Sequence, residues 1–187
     1  MKISSTFAEI VEDSLYSITV LNDNENEFRK CFTRWRDPIY LREFFEKNIN
    51  DLNDPYWNGI NIDEAIVRTK NEANSFEEKI LEVAENGKTN KNETLSSLFK
   101  PLSDSHLGEK YERNKAYGEN KKTWIRLYAL RLSVNFFIVC GGAIKLTRTM
   151  NNREHLTLEL EKLKQLRNLL IEHDQNHIDD IGFYELK

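Results

Sequence analysis

A chain of 187 residues with 39% hydrophobic and 11% aromatic content can bury a core, and it carries too much apolar area for a disordered polymer. Its net charge is −4, and its longest apolar run, Phe136–Cys140, is far too short to cross a bilayer. The start, MKISSTFAEIVED, lacks the apolar stretch of a signal peptide. Cys31 and Cys140 lie far apart in apolar surroundings, as buried free thiols do. These features fit a cytoplasmic protein, and one domain over residues 1–187 is the default.

Residues 2–21 read as two short strands, the second being LYSITVL, with Glu12-Asp13-Ser14 as the turn of a hairpin. From Glu27 the period lengthens. Phe28, Cys31, Phe32 and Trp35 have helical spacing, which predicts a helix near 25–35. Asp37-Pro38 supplies an N-cap and a first-turn proline for a second helix near 38–49. Asn50–Gly59 is a loop with Asp-Pro and Asn-Gly turn signals. Asn61 and Glu64 form a capping-box pattern, so a helix begins there and runs to about Glu85, with Gly87 as its stop. Lys88–Glu93 is polar. LFKPL at 98–102 opens an extended segment whose Pro101 favours a sheet edge. Ser103–Gly108 is a loop, and Lys110–Tyr117 fits strand or coil. Trp124–Leu132 and Asn135–Leu146 are strands joined through Ser133-Val134-Asn135. Leu156, Leu160, Leu163, Leu166, Leu169 and Leu170 stripe a final helix over about 152–172. Segregated strands and helices predict an α+β fold: an antiparallel sheet with paired helices in the N-terminal half and a C-terminal helix.

Charge is unevenly placed. Between Lys88 and Met150 there are 12 Lys/Arg against 5 Asp/Glu, whereas Met1–Gly87 holds 10 against 18. Strong β-formers and positive charge therefore coincide. Along Trp124–Leu132, Ile125, Leu127 and Ala129 point one way, and Trp124, Arg126 and Tyr128 the other. The second set offers stacking surface and a guanidinium, the combination that recognises single-stranded nucleic acid. A half-exposed face whose Arg126 pairs with a helix carboxylate is an equally weighted reading. Lys110, Arg113, Lys115, Lys121, Lys122, Lys145 and Arg148 extend the positive charge, diluted by Glu109, Glu112 and Glu119. Gly141-Gly142 marks a bulge, a close backbone approach, or a kink in the sheet. His173 and His177, four residues apart, have Asp174 where a catalytic metalloprotease helix carries Glu, and a polar helix end is the better reading than a metal site.

Three segments, KKTWIRLYAL, GGAIKLTRTM and NNREHLTLELEKLKQLRNLL, resemble the RelE/ParE/HigB superfamily of small bacterial toxins, the HigB-like members in particular. The resemblance covers roughly residues 98–170, with 1–97 forming the hairpin and helices upstream. It implies a RelE-like α+β domain acting as an endoribonuclease on mRNA, often on the ribosome, with no metal or other cofactor, and neutralised by a cognate antitoxin. It places Arg126 at the scissile phosphate, Lys145 or Arg148 at the basic position ending the last strand, and His155 as acid or base. Lys110, Arg113, Lys115, Lys121, Lys122, Trp124 and Tyr128 are the expected RNA contacts. Family members are shorter and net basic, so the acidic N-terminal half is a departure. Two alternatives use the same basic strands without catalysis: an RNA- or ribosome-binding module, and a protein-interaction domain whose basic groove accepts an acidic peptide.

Overall fold

The computed structural model describes residues 3–120, 122–147 and 153–173. Strands β1 (Ile3–Val11) and β2 (Leu15–Val20) form the N-terminal hairpin, turned at Asp13 with φ 55°, a left-handed conformation that Asp tolerates. Helix α1 (Glu27–Arg36) starts at Asn26, whose side chain accepts from Arg29 N. Asp37 then caps α2 (Pro38–Lys47), with Pro38 where a missing N–H costs nothing. A short α3 (Ile49–Leu52) follows. Helix α4 (Ile62–Asn86) opens with the reciprocal Asn61–Glu64 capping box. Strands β3 (Lys100–Pro101), β4 (Glu112–Tyr117), β5 (Ile125–Arg131) and β6 (Phe137–Ile144) precede α5 (Glu154–His173).

The six strands are ordered β1-β2-β6-β5-β4-β3. The expectation of an antiparallel sheet needs correction, because β2 and β6 run parallel, pairing Leu15–Ser17 with Phe137–Val139. A parallel pair needs a long crossover, and residues 21–136 supply it. The sheet is therefore mixed, within an α+β fold.

Both faces are covered, which corrects the picture of one apolar and one open basic face. On one side α1, α2 and α4 pack Phe28, Phe32, Trp35, Phe45, Phe76 and Ile80 against Leu15, Ile125, Leu127, Ala129, Phe137 and Val139. On the other, Leu156, Leu163, Leu166 and Leu170 of α5 cover Tyr16, Ile18, Tyr128, Leu130, Ile138 and Cys140. Strands sandwiched in this way read as near-continuous apolar runs, and β6 is buried at every position except Gly142, which is half-buried. Both cysteines are buried free thiols. Among the described residues no helix is long and apolar enough to cross a membrane.

The glycine pair serves close packing. Gly141, at φ 154°, lies under the Glu159 carboxylate and the Lys162 ammonium of α5, and any Cβ there would collide with them. A Cβ on Gly142 would sit 2.9 Å from the Trp35 ring. The β5–β6 register shifts between Tyr128 and Ala129, so the bulge lies at this point. Lys162 Nζ reaches Glu159 Oε1 at 2.7 Å and Glu27 Oε2 of α1 at 2.6 Å, giving a buried charged bridge between the two helical layers.

Candidate anion-binding cleft

Arg126 stands on β5 opposite Ala143, and Lys145 follows the end of β6, its N–H bonding to Trp124 O at 2.7 Å. The neighbouring strands thus bring both cations to the wall of one cleft of about 370 Å³. Its other lining residues are Asp54, Tyr56, Trp57, Thr123, Leu146 and Thr147. The opposite wall is the turn after α3. There Asp54 Oδ1 accepts Tyr56 N at 2.8 Å, Pro55 begins a single 3₁₀ turn, and Asn58 closes it at φ 62°. Trp57 pins this turn to the strand end through Nε1, which donates to Leu146 O at 3.1 Å.

Arg126 Nη1 donates to Ile125 O at 2.8 Å, its guanidinium lies 4.3 Å from the Tyr117 ring centre, and among the described residues it makes no salt bridge. Burial lowers its pKa. Burial also lowers that of Lys145, and the like charges of Arg126 and Lys115 push the same way. Lys115, on β4, donates to Leu102 O at 2.9 Å. Lys122 reaches across to Tyr56 O at 2.8 Å and lies 4.7 Å over the Tyr56 ring. Thr123, which lines the cleft, and Glu72 bury Oγ1 and Oε2 without hydrogen-bond partners among the described residues, and both side chains fill the space that a Cβ on Gly118 would take.

The remaining expected residues fall elsewhere. Trp124 is fully buried on the α2–α4 side: its Nε1 donates to Thr69 Oγ1 at 2.9 Å, its ring packs on Phe45 and Trp57, and Arg68 lies 4.1 Å over it. Tyr128 shares the face of Arg126 as alternation requires, but α5 covers it and leaves it 1% exposed. Neither ring can stack on a base. Lys110 and Arg113 lie toward the other end of β4. Arg113 pairs with Glu109 at 3.2 Å, and Lys110 lines a separate hollow with Glu109, Glu112 and Arg131. His155 does not line the cleft: its Nε2 is 3.0 Å from Ile144 O, and its ring stands edge-on to Phe44. Lys121, Arg148 and His177 lie outside the described residues.

Sequence reasoning missed two exposed tyrosines, one lining the cleft and one beside its arginine. Tyr117 and Tyr56 are 39% and 49% exposed, beside Arg126 and Lys122 respectively. Tyr117 had a signal, since it lies opposite Arg126 once the β4–β5 register is known. Tyr56 and Asp54 sit in a turn with only its Asp-Pro start to mark it. Among the described residues no cluster of three or more His, Cys, Asp or Glu side chains could hold a metal ion. No protein-family model, curated protein or solved structure matches this chain.

Proposed function

We propose that this protein binds RNA, with a backbone phosphate held between Arg126 and Lys145 and the adjoining bases on Tyr56 and Tyr117. One observation carries the reading: two desolvated cations share a cleft, and Arg126 has no carboxylate partner among the described residues. A buried, unpaired charge is costly, and an incoming phosphate offsets that cost. Exposed tyrosines beside the cations add stacking, which tolerates any base. The test is fluorescence anisotropy with a labelled single-stranded RNA. R126A and K145A should each weaken binding at least roughly tenfold and lower the salt slope by about one. Wild-type protein that ignores RNA at low salt, or variants that bind like wild type, would overturn the reading.

The RelE/HigB-like toxin reading extends this one and is favoured by a specific observation. Two of the expected catalytic groups, Arg126 and Lys145, share the cleft, and a lysine of lowered pKa is a better proton donor than an ordinary one. The order of elements, with a hairpin, helices on one face, an antiparallel meander and a closing helix, suits a RelE-like arrangement. Metal-independent endoribonuclease action, ribosome association and a cognate antitoxin come with this reading. Induced expression should then arrest growth and deplete mRNA, and R126A should abolish both. Wild-type expression that leaves growth and mRNA intact counts against it.

A further inference from the structure

Asp54 is the anomaly of the cleft. An ionised carboxylate only accepts hydrogen bonds, and so does a phosphodiester. A cleft designed for phosphate alone gains nothing from a carboxylate on its wall, because like charges repel across a few ångströms. Yet Asp54 lines the same cleft as Arg126 and Lys145. Its Oδ1 is fixed by the Tyr56 N–H at 2.8 Å, and among the described residues no salt bridge engages the carboxylate. The turn that carries it is anchored at Trp57, and its own bond to Tyr56 N–H fixes the Asp54 side chain within that turn.

The conflict disappears if the ligand brings a donor next to its phosphate. The ribose 2′-hydroxyl is such a donor, one carbon away from the 3′-phosphate oxygen, and it is the group that distinguishes RNA from DNA. We infer that Asp54 is the specificity-determining residue of the cleft, accepting a hydrogen bond from the 2′-hydroxyl and repelling strands that lack one. This inference rests on the RNA-phosphate reading of the cleft and goes further by naming the sugar that it selects. The arithmetic is asymmetric. With RNA the carboxylate gains a charge-assisted hydrogen bond. With DNA it stays beside a phosphate with nothing to accept, and discrimination by unmet polar groups is stronger than discrimination by shape.

The test compares three oligonucleotides of one uracil-containing sequence, with ribose, 2′-deoxyribose and 2′-O-methylribose sugars, by anisotropy. The 2′-O-methyl strand keeps the sugar pucker and base amino groups of RNA and puts a methyl group in place of the donor hydrogen. Wild type should prefer ribose to both others by about tenfold, a single good hydrogen bond. D54N keeps the acceptor that caps Tyr56 N–H and removes the charge. It should bind ribose less tightly and deoxyribose more tightly, bringing the two within about twofold. Equal wild-type binding of all three strands overturns this inference and leaves the phosphate reading standing, as does a D54N ratio equal to wild type. Failure of wild type to bind any strand overturns the phosphate reading itself.

Discussion

Two lysines on one side of the sheet meet opposite fates. Lys162 is nearly buried, with 9% of its side chain exposed, and is held between Glu27 and Glu159. Burial pulls its pKa down, but the two carboxylates outweigh that pull and the net shift is upward. Lys145 is half-buried, its surroundings include Arg126 and Lys115, and its net shift is downward. The first ammonium is already compensated, so it serves the fold: it ties α5 to α1 past the part of β6 that pairs with no strand on that side. The second stands beside an open cleft with two cations among its neighbours. Burial alone does not mark a binding residue; the sign of the charges around it and access to a cleft do.

The sharpest way to break this contrast is to remove each ammonium in turn. K162M leaves Glu27 and Glu159 facing each other in a buried site, and urea unfolding at pH 7 should show a loss of about 3–5 kcal/mol. K145M removes a charge that its neighbours repel, so its unfolding free energy should stay within about 1 kcal/mol of wild type while RNA affinity falls. Equal losses in the two variants would erase the distinction between structural and receptive lysines.

The buried bridge also has a pH signature on the acid side of neutrality. Burial, as the largest cause, pushes the Glu159 carboxyl up to about 7, against the partial pull of Lys162. The folded protein therefore binds a proton at pH values where the unfolded chain, near 4.5, has released it. Stability from this group is fully present below about 4.5 and is lost as pH rises to about 7, by roughly 3 kcal/mol at most. Lys162 remains charged throughout that window and adds no slope of its own. Unfolding curves from pH 4.5 to 7.5 should slope downward in wild type and flatten in E159Q. An unchanged slope in E159Q would assign the effect to other groups.

On the cleft side, R126A should cost ten- to hundredfold in RNA affinity, about 1.4–2.7 kcal/mol, with the thermal midpoint nearly unchanged. Y117A should cost less, about 1 kcal/mol, the low end for one stacked base, because it removes a stacking surface and the ring that lies against Arg126 but leaves the guanidinium in place. If Y117A binds worse than R126A, the aromatic face and not the charge leads recognition.

These residues also show what can be read from sequence. The helices were legible because their signals are local: Asn61 with Glu64, Asp37 with Pro38, and the leucines of α5 at helical spacing. Arg126 and Lys145 were legible as neighbours because β5 and β6 are consecutive strands. Trp124 was misplaced because it precedes β5, where strict alternation has not begun, and its indole turns toward Thr69. Tyr128 was assigned to the right face, but the helix that covers that face lies outside the strand's own pattern. The parallel β2–β6 pair, the Glu27–Lys162 contact and the Asp54 wall all join residues far apart in the chain, and no local period encodes them.

The smallest expected effect contrasts two threonines around the buried Trp124 region. Thr69 Oγ1 accepts from Trp124 Nε1 at 2.9 Å and donates to Ala65 O at 2.7 Å, so both of its roles are filled. Thr123 Oγ1 is also buried and has no partner among the described residues. Replacing a hydroxyl with a methyl group conserves volume, which leaves hydrogen bonding as the main difference between the sites. T69V strands the indole N–H in the core and should cost about 1–3 kcal/mol. T123V removes a desolvated hydroxyl that gains nothing, and should be neutral or stabilise by up to about 1 kcal/mol in the same unfolding assay. RNA affinity then decides what the hydroxyl is for. If T123V is as stable as wild type but binds RNA more weakly, Thr123 is held unpartnered for a ligand at the Arg126–Lys145 wall; unchanged affinity makes it a tolerated defect of the β4–β5 turn.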